Sequence, residues 1–214
     1  MTFIKRRGLM LVLSSPSGAG KTTIVKEILK RDLEISVSVS TTTRSARPGE
    51  VHGKDYFFVS QDQFLSMKSQ DAFLENAEVF GNFYGTPKDF VNEQLQSGHD
   101  VIFDIDWQGT QQIAQRARHD LVTVFLFPPS GEELEKRLRN RATDSEDVLK
   151  KRMNAASSEI SHWAEYDYVI INHDLEDSVE KVHSILKTER LKRTRQDGLT
   201  DFVNNIRTLM KSNL

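Results

Sequence analysis

The stretch Leu9-Met-Leu-Val-Leu-Ser-Ser-Pro-Ser-Gly-Ala-Gly-Lys-Thr-Thr23 decides the fold of this chain. Its apolar residues predict a buried strand, its small residues predict a loop, and the apolar positions 24, 25, 28 and 29 that follow have helical spacing. In such a loop, successive backbone N–H groups face a common centre, and the helix N-terminus adds positive potential. The stretch therefore predicts a polyphosphate site, with Lys21 reaching the outer phosphates and the Thr22 hydroxyl coordinating Mg²⁺.

The loop departs at one position from the pattern G-x-x-x-x-G-K-[ST], because Ser15 stands at the first glycine. Serine does not adopt a positive φ as readily as glycine does, so we expect the loop to begin with a negative φ. The alternative for a pattern with this defect is a strand-to-helix turn that binds no ligand. Residues elsewhere in the chain have to decide between the two interpretations.

Length and composition favour an α/β protein with a core of ordinary size. The chain has 214 residues, no cysteine and a formal net charge of −2. These values exclude disulfides and thiolate metal sites, fit a reducing compartment, and give no electrostatic footprint for nucleic acid. The apolar run 9–13 is too short for a signal peptide or a membrane helix. We therefore expect a cytoplasmic protein with no nucleic-acid partner and no membrane partner.

The order of predicted elements indicates how the chain divides. Strands alternate with helices along most of it, which is typical of a doubly wound parallel sheet. One interval is instead rich in short strands, glycines and aromatic residues and predicts an inserted mixed β/α subdomain, and a charged segment between two helices predicts a lid. The predicted division is a core of residues 1–40, 88–138 and 153–190, a subdomain of residues 41–87, a lid of residues 139–152 and a C-terminal helical extension of residues 191–214.

The extension contains a predicted amphipathic helix around residues 202–210. Its apolar face needs a partner, which is either the core of the same chain or a second copy in a homodimer.

A loop after a predicted strand carries two arginines, Arg44 and Arg47, with Tyr56 and Tyr84 further along the chain. Guanidinium groups and phenols bind a dianionic phosphate well. The alternative is that the arginines are solvated and the tyrosines belong to the core.

Arg137 and Arg141 lie four residues apart on one predicted helix, and Arg152 lies on the next predicted helix, across an acidic connection. Arginines on a mobile lid can close over a transferring phosphoryl group. The alternative is an ordinary helix surface on which Glu133 supports Arg137 four residues later.

Six segments together resemble the guanylate kinase family. They are residues 15–22 (SPSGAGKT), 39–50 (VSTTTRSARPGE), 53–56 (GKDY), 73–75 (FLE), 81–86 (GNFYGT) and 104–109 (DIDWQG). The second and fifth segments are the most specific. The resemblance implies a P-loop core, a GMP-binding insertion and a lid, and transfer of the γ-phosphoryl group of ATP to GMP and dGMP, with Mg²⁺ as the cofactor.

The resemblance also implies a role for each matching residue. Those for ATP are Ser15, Pro16, Ser17, Gly18, Ala19, Gly20, Lys21, Thr22, Thr23 and Asn172. Those for GMP are Arg44, Arg47, Tyr56 and Tyr84 at its phosphate and Ser40, Glu75, Thr86, Asp104 and Asp106 on its guanine side. The catalytic residues are Lys21, Arg44, Arg137, Arg141 and Arg152, and the metal ligands are Thr22 and Asp106.

Within the strand-terminal pair of acids, we expect Asp104 on the guanine side and Asp106 beside Lys21 and Mg²⁺. Glu75 accounts for the preference for guanine over adenine. Guanine presents two adjacent N–H donors from which one carboxylate can accept, whereas adenine does not. Two alternatives stay open: a kinase for another nucleoside monophosphate, and a non-catalytic module that binds a phosphorylated partner. Glu75 disfavours the first, and Lys21 with Thr22 disfavours the second.

Overall fold

The computed structural model describes residues 4–79, 81–141 and 146–212. Its strands are β1 (Met10–Ser14), β2 (Ile35–Val37), β3 (Thr41–Thr42), β4 (Phe57–Phe58), β5 (Phe73–Val79), β6 (Asn82–Pro87), β7 (Asp100–Phe103), β8 (Leu121–Phe127) and β9 (Tyr168–Ile171). Its helices are α1 (Lys21–Arg31), α2 (Gln61–Ser69), α3 (Lys88–Gln96), α4 (Trp107–Ala117), α5 (Gly131–Arg141), α6 (Glu146–Ile160), α7 (Leu175–Arg190) and α8 (Leu199–Ser212). Within these described ranges, none of the helices is long and apolar enough to cross a lipid bilayer.

A parallel sheet of five strands forms the centre of the structure, in the order β2-β7-β1-β8-β9. β1 lies in the middle and all of its residues are buried, which explains its continuous apolar sequence. Leu11 pairs with Ile102 on one side and with Val122 on the other. The strand order and the helices between the strands confirm the predicted doubly wound α/β fold.

Side chains of β1 alternate between the two faces of the sheet, and helices cover both faces. Leu11 and Leu13 pack in an apolar cluster with residues of α1 and α7. Met10 and Val12 pack in a second cluster with residues of α3 and α4. The loop after β1 therefore emerges from the apolar core at the carboxyl edge of the sheet. Ligands bind at this edge in folds of this kind.

A second sheet of four strands has the order β4-β3-β6-β5. β5 and β6 form an antiparallel hairpin that places Glu75 opposite Thr86. Helix α4 ties this sheet to the core, because the Gln112 side chain accepts from the backbone N–H of Asn76 at 3.0 Å and donates to its carbonyl oxygen at 3.1 Å. A separate mixed sheet agrees with the predicted insertion, whose limits stay a prediction.

Helices α5 and α6 contain most of the predicted lid segment 139–152, namely residues 139–141 and 146–152. They pack against each other through buried apolar side chains, namely Leu134, Leu138, Leu149 and Ala156. Residues 142–145 of the predicted lid lie outside the described residues. The lid as a separate unit stays a prediction.

The C-terminal extension begins against the core. Arg195 is 3% exposed and faces the buried carboxylate of Glu189 at the end of α7. The carbonyl oxygen of Arg195 accepts from the backbone N–H of Arg7 at 2.7 Å. The chain then forms α8, the amphipathic helix that the sequence predicts. Its exposed apolar side chains are Val203, Ile206, Leu209 and Met210.

Candidate active site

A cavity of about 240 Å³ opens where β1 meets α1. Gly18 and Gly20 adopt φ values of 94° and 105°, a conformation that favours glycine at both positions. Ser15 is not among the described residues with positive φ, so the loop begins without backbone strain, as expected. The residues that line the cavity are Ser15, Pro16, Ser17, Gly18, Gly20, Lys21, Thr22 and Glu159.

The back of this loop rests on Asn172, at the end of β9. Its Nδ2 donates to the carbonyl oxygen of Ala19 at 2.7 Å, and its Oδ1 accepts from the Ser178 hydroxyl at 2.9 Å. A Cβ on Gly20 would lie only 2.5 Å from Nδ2. The Asn172 side chain therefore supports the loop from beneath, and its contact with the base or ribose of ATP stays a prediction.

Lys21 begins α1, and its ammonium group lies 2.6 Å from Asp104 Oδ1 and donates to the carbonyl oxygen of Ile105 at 3.3 Å. The expectation that Asp106 is the acid beside Lys21 is wrong in this respect, because Asp104 makes the ion pair. Asp106 is instead the N-cap of α4, where its carboxylate accepts from the backbone N–H of Gly109 at 2.9 Å. Helix capping thus separates the roles of two acids that lie only two residues apart.

The residues predicted to hold the GMP phosphate form one cluster beside the second sheet. The Arg44 guanidinium carbon lies 5.4 Å from the centroid of the Tyr56 ring, and the rings of Tyr56 and Tyr84 meet edge to face with centroids 6.2 Å apart. Glu50 accepts from Arg44 at 2.8 Å and from the backbone N–H of Arg47 at 2.7 Å. The hydrogen bond from Arg44 lowers the pKa of Glu50, so this carboxylate stays ionised and orients the arginine. Such a cluster can bind a dianionic phosphate.

Three of the five residues predicted for the guanine side, Ser40, Glu75 and Thr86, also come together, and a guanine contact of Asp104 or Asp106 stays a prediction. Thr86 is buried and donates to Oε1 of Glu75 at 2.7 Å, and the hydroxyl oxygens of Ser40 and Thr86 are 3.4 Å apart. Burial raises the pKa of Glu75, the hydrogen bond from Thr86 opposes that rise, and the charge of Asp106 adds to it. A Cβ on Gly109 would lie 3.1 Å from Cδ1 of Ile105 and 3.6 Å from Oε2 of Glu75, so the tight neighbour of this glycine is Ile105. The carboxylate of Glu75 is nearly buried beside this first turn of α4.

The other three predicted catalytic arginines, Arg137, Arg141 and Arg152, lie on helices α5 and α6. Arg137 donates to Glu133 at 3.0 Å along α5, which is the surface pairing considered as the alternative. Arg141 ends α5, and its side chain lies outside the described residues. Arg152 is partly exposed on α6. The action of these three arginines on a phosphoryl group stays a prediction.

Three residues of the site were not predicted from the sequence. Glu50 could have been found, since it follows Arg44 and Arg47 with regular spacing and carries the complementary charge. Gly109 closes the segment 104–109, where a glycine inside a helix signals a close approach. Glu159 gives no local signal, because it reaches the loop only through the tertiary fold, across 142 residues.

The chemistry of the groups around Lys21 fits a magnesium ion. The Thr22 hydroxyl is exposed at the cavity, and Asp104 and Asp106 supply exposed carboxylates nearby, which are the hard oxygen ligands that Mg²⁺ prefers. Among the residues that the structure describes, no three acidic, histidine or cysteine side chains form a metal cluster. Mg²⁺ does not require one, since it is often held by one or two carboxylates together with substrate phosphates.

Comparison with known proteins agrees with this geometry. The family profile described as "Guanylate kinase" matches residues 7–189. Guanylate kinase from Paramagnetospirillum magneticum is 62% identical over 204 residues, which is 95% of each chain. Guanylate kinase from Nitrobacter winogradskyi is 54% identical over 209 residues, covering 98% of this chain and 95% of the relative. The crystal structure of guanylate kinase from Anaplasma phagocytophilum superposes with a TM-score of 0.72 at 39% identity, over 94% of this chain and 96% of the other. With a profile match over most of its length and relatives of this identity, the chain belongs to the guanylate kinase family.

Proposed function

We propose how the residues of this site divide the work of a guanylate kinase. As a member of that family, the chain transfers the γ-phosphoryl group of ATP to GMP. The observation that best supports the division is the hydrogen-bonded chain Ser40–Thr86–Glu75 on the sheet that also carries Arg44. One half of the site selects the acceptor, and the loop between β1 and α1 takes the donor.

In the acceptor half, Glu75 reads the base. Its carboxylate can still accept from guanine N1–H and the 2-amino group, because a carboxylate offers about four lone-pair sites and Thr86 uses one. Ser40 and Thr86 supply hydroxyls beside it. Adenine would leave this buried carboxylate without its two donors, and sites of this kind reject such analogues by roughly 10⁴-fold or more.

In the donor half, the N–H groups of the loop and Lys21 hold the phosphates of ATP. Thr22 and the neighbouring acids Asp104 and Asp106 are the residues that would hold Mg²⁺, which neutralises part of the phosphate charge when it is bound. Asp104 is the better candidate of the two acids, because the carboxylate of Asp106 is already engaged as a helix cap.

The protein contributes alignment and charge stabilisation to the transfer. Lys21 and Arg44 hold the two phosphates, while Arg137, Arg141 and Arg152 stabilise the charge that develops on the moving phosphoryl group. In the structure Arg137 donates to Glu133 through Nε, and its guanidinium group carries further N–H donors that can bind phosphate. Movement of α5, α6 and the second sheet over the core would also exclude water from the reaction.

The acceptor assignment is tested by Arg44→Lys. We expect the KM for GMP to rise about tenfold or more, because lysine keeps the charge but loses the fork that grips phosphate and Glu50 together. The KM for ATP should change little. Steady-state kinetics with each substrate varied in turn measure both values. Arg31→Lys, at a surface pair with Glu176, is the control. A parallel rise in both KM values would contradict the assignment.

We also propose that a second copy of the chain covers the apolar face of α8, forming a homodimer. The exposed fractions of Leu209 and Met210 are 64% and 65%, and contiguous exposed apolar side chains mark interaction surfaces. Light scattering after size exclusion should give twice the mass of the chain, and Ile206→Glu with Met210→Glu should halve it. Thr208→Glu, on the opposite face of α8, should leave the dimer intact. A monomeric wild-type chain would refute this assembly.

A further inference from the structure

Glu159 reaches the phosphate loop from the last turns of α6. Its Oε2 accepts from the backbone N–H of Ser17 at 3.2 Å. Among the described residues that line the cavity, Lys21 carries the one positive charge and Glu159 the one negative charge. A carboxylate therefore lies on the surface that the site offers to phosphate, and the transfer reaction as described above makes no use of it.

The helix that carries Glu159 is fastened close to this contact. His162 stacks on Trp107, with ring centroids 3.6 Å apart and an interplanar angle of 11°. Glu165 also links the segment after α6 to α4, since it binds His162 at 2.7 Å and accepts from Gln111 of α4 at 2.7 Å. These contacts thus fix the end of the helix from which Glu159 reaches the loop.

The surroundings of Glu159 make its charge costly. Burial raises the pKa of this carboxyl group; the hydrogen bond from Ser17 and the charge of Lys21 oppose the rise, and the charge of Asp106 adds to it. A polyphosphate that enters the cavity brings more negative charge to the same place. It must either displace the carboxylate from Ser17 or bind beside it, and both possibilities cost free energy.

We propose that Glu159 is a specificity-determining residue of the donor site, which opposes anions at the phosphate loop and so favours a nucleotide whose charge is neutralised by a divalent cation. The inference rests on the proposed donor role of the loop. Repulsion grows with the charge of the ligand, and metal-free ATP carries about twice the negative charge of its magnesium complex. Glu159 should therefore penalise metal-free ATP more strongly than the complex.

Glu159→Gln tests the charge separately from the contact. Glutamine has nearly the same shape, and its amide oxygen can still accept from Ser17. Isothermal titration calorimetry would measure the binding of ATP with EDTA and of ATP with excess Mg²⁺. We expect the Kd of metal-free ATP to fall about tenfold and that of the magnesium complex to fall no more than about threefold.

Glu180→Gln is the matched control. It removes the same charge from an exposed position of α7 that does not line the cavity, and its two Kd values should equal those of the wild type. Glu159→Ala serves as a second variant, with the same expected direction, if the glutamine variant does not fold.

Equal changes in the two Kd values, or weaker binding of metal-free ATP by the variants, would overturn this inference. Failure of the wild-type protein to bind ATP in either form would instead contradict the proposed donor site. The two failures can therefore be distinguished in the same titrations.

Discussion

Replacement of Lys21 with methionine is expected to lower kcat by about 10³-fold or more while the protein stays folded. Methionine retains much of the length of the side chain but removes the positive charge that stabilises the phosphates during transfer. In the free protein the change leaves Asp104 without its ion pair, but the Asp104 side chain is 39% exposed and water can solvate it. Coupled-assay turnover and a circular dichroism spectrum measure the two effects.

Lys26→Met is the control for this change. Lys26 lies on α1 as Lys21 does, but its side chain points to solvent, away from the cavity lining. Its turnover should match that of the wild type. If Lys21→Met stayed folded and kept wild-type turnover, the assignment of Lys21 to the donor phosphates would be refuted.

Replacement of Glu75 with glutamine is expected to lower kcat/KM for GMP by about 10²-fold or more and to leave ATP binding nearly unchanged. Glutamine turns one acceptor into an N–H donor, which then faces a donor of guanine, and it removes the charge that strengthens the remaining hydrogen bond. Calorimetry with ATP and steady-state kinetics with GMP would separate the two effects.

The same substitution should stabilise the free protein at neutral pH, by on the order of 1 kcal/mol. Because burial raises the pKa of Glu75 above its usual 4.5, the folded state binds more protons than the unfolded state between the two pKa values. The stability of the wild type therefore falls as the pH rises through this window. The increase in the free energy of unfolding caused by Glu75→Gln should be absent well below the usual pKa. It should be constant above the raised pKa of the folded protein.

Thermal unfolding of both proteins across this pH range checks the sign. Glu78→Gln, at an exposed position of β5, should alter neither the GMP kinetics nor the stability. A gain in stability without a loss of GMP turnover would mean that Glu75 is costly to bury but does not read the base.

The parallel sheet could be predicted because its central strands are buried on both faces. The continuous apolar run of residues 121–127 predicts a strand covered on both faces, and β8 spans the same residues. The alternation of residues 35–40 predicts one strand over the whole range, but β2 ends at Val37, and the next strand, β3, begins at Thr41 in the other sheet. Alternation indicates a half-buried strand and cannot tell which sheet will bury it.

The candidate site was predictable where its residues lie within short segments. Glu75 and Thr86 sit on the two strands of one hairpin, so their meeting follows from local pairing. The order of Asp104 and Asp106 was not predictable from spacing, because side chains two residues apart along a strand lean toward the same face. The position at which α4 begins makes Asp106 its N-cap and leaves Asp104 to pair with Lys21. That position depends on the structure that follows the strand.

The kcat/KM values for GMP and AMP, measured with ATP in the wild type and in Glu75→Gln, test the central claim most directly. We expect the wild type to prefer GMP by roughly 10⁴-fold or more, since its buried carboxylate needs two adjacent donors. That ratio should fall by about 10²-fold or more in the variant, because GMP loses its partner while AMP loses nothing. The same ratio in both proteins would contradict the claim that Glu75 selects the acceptor base.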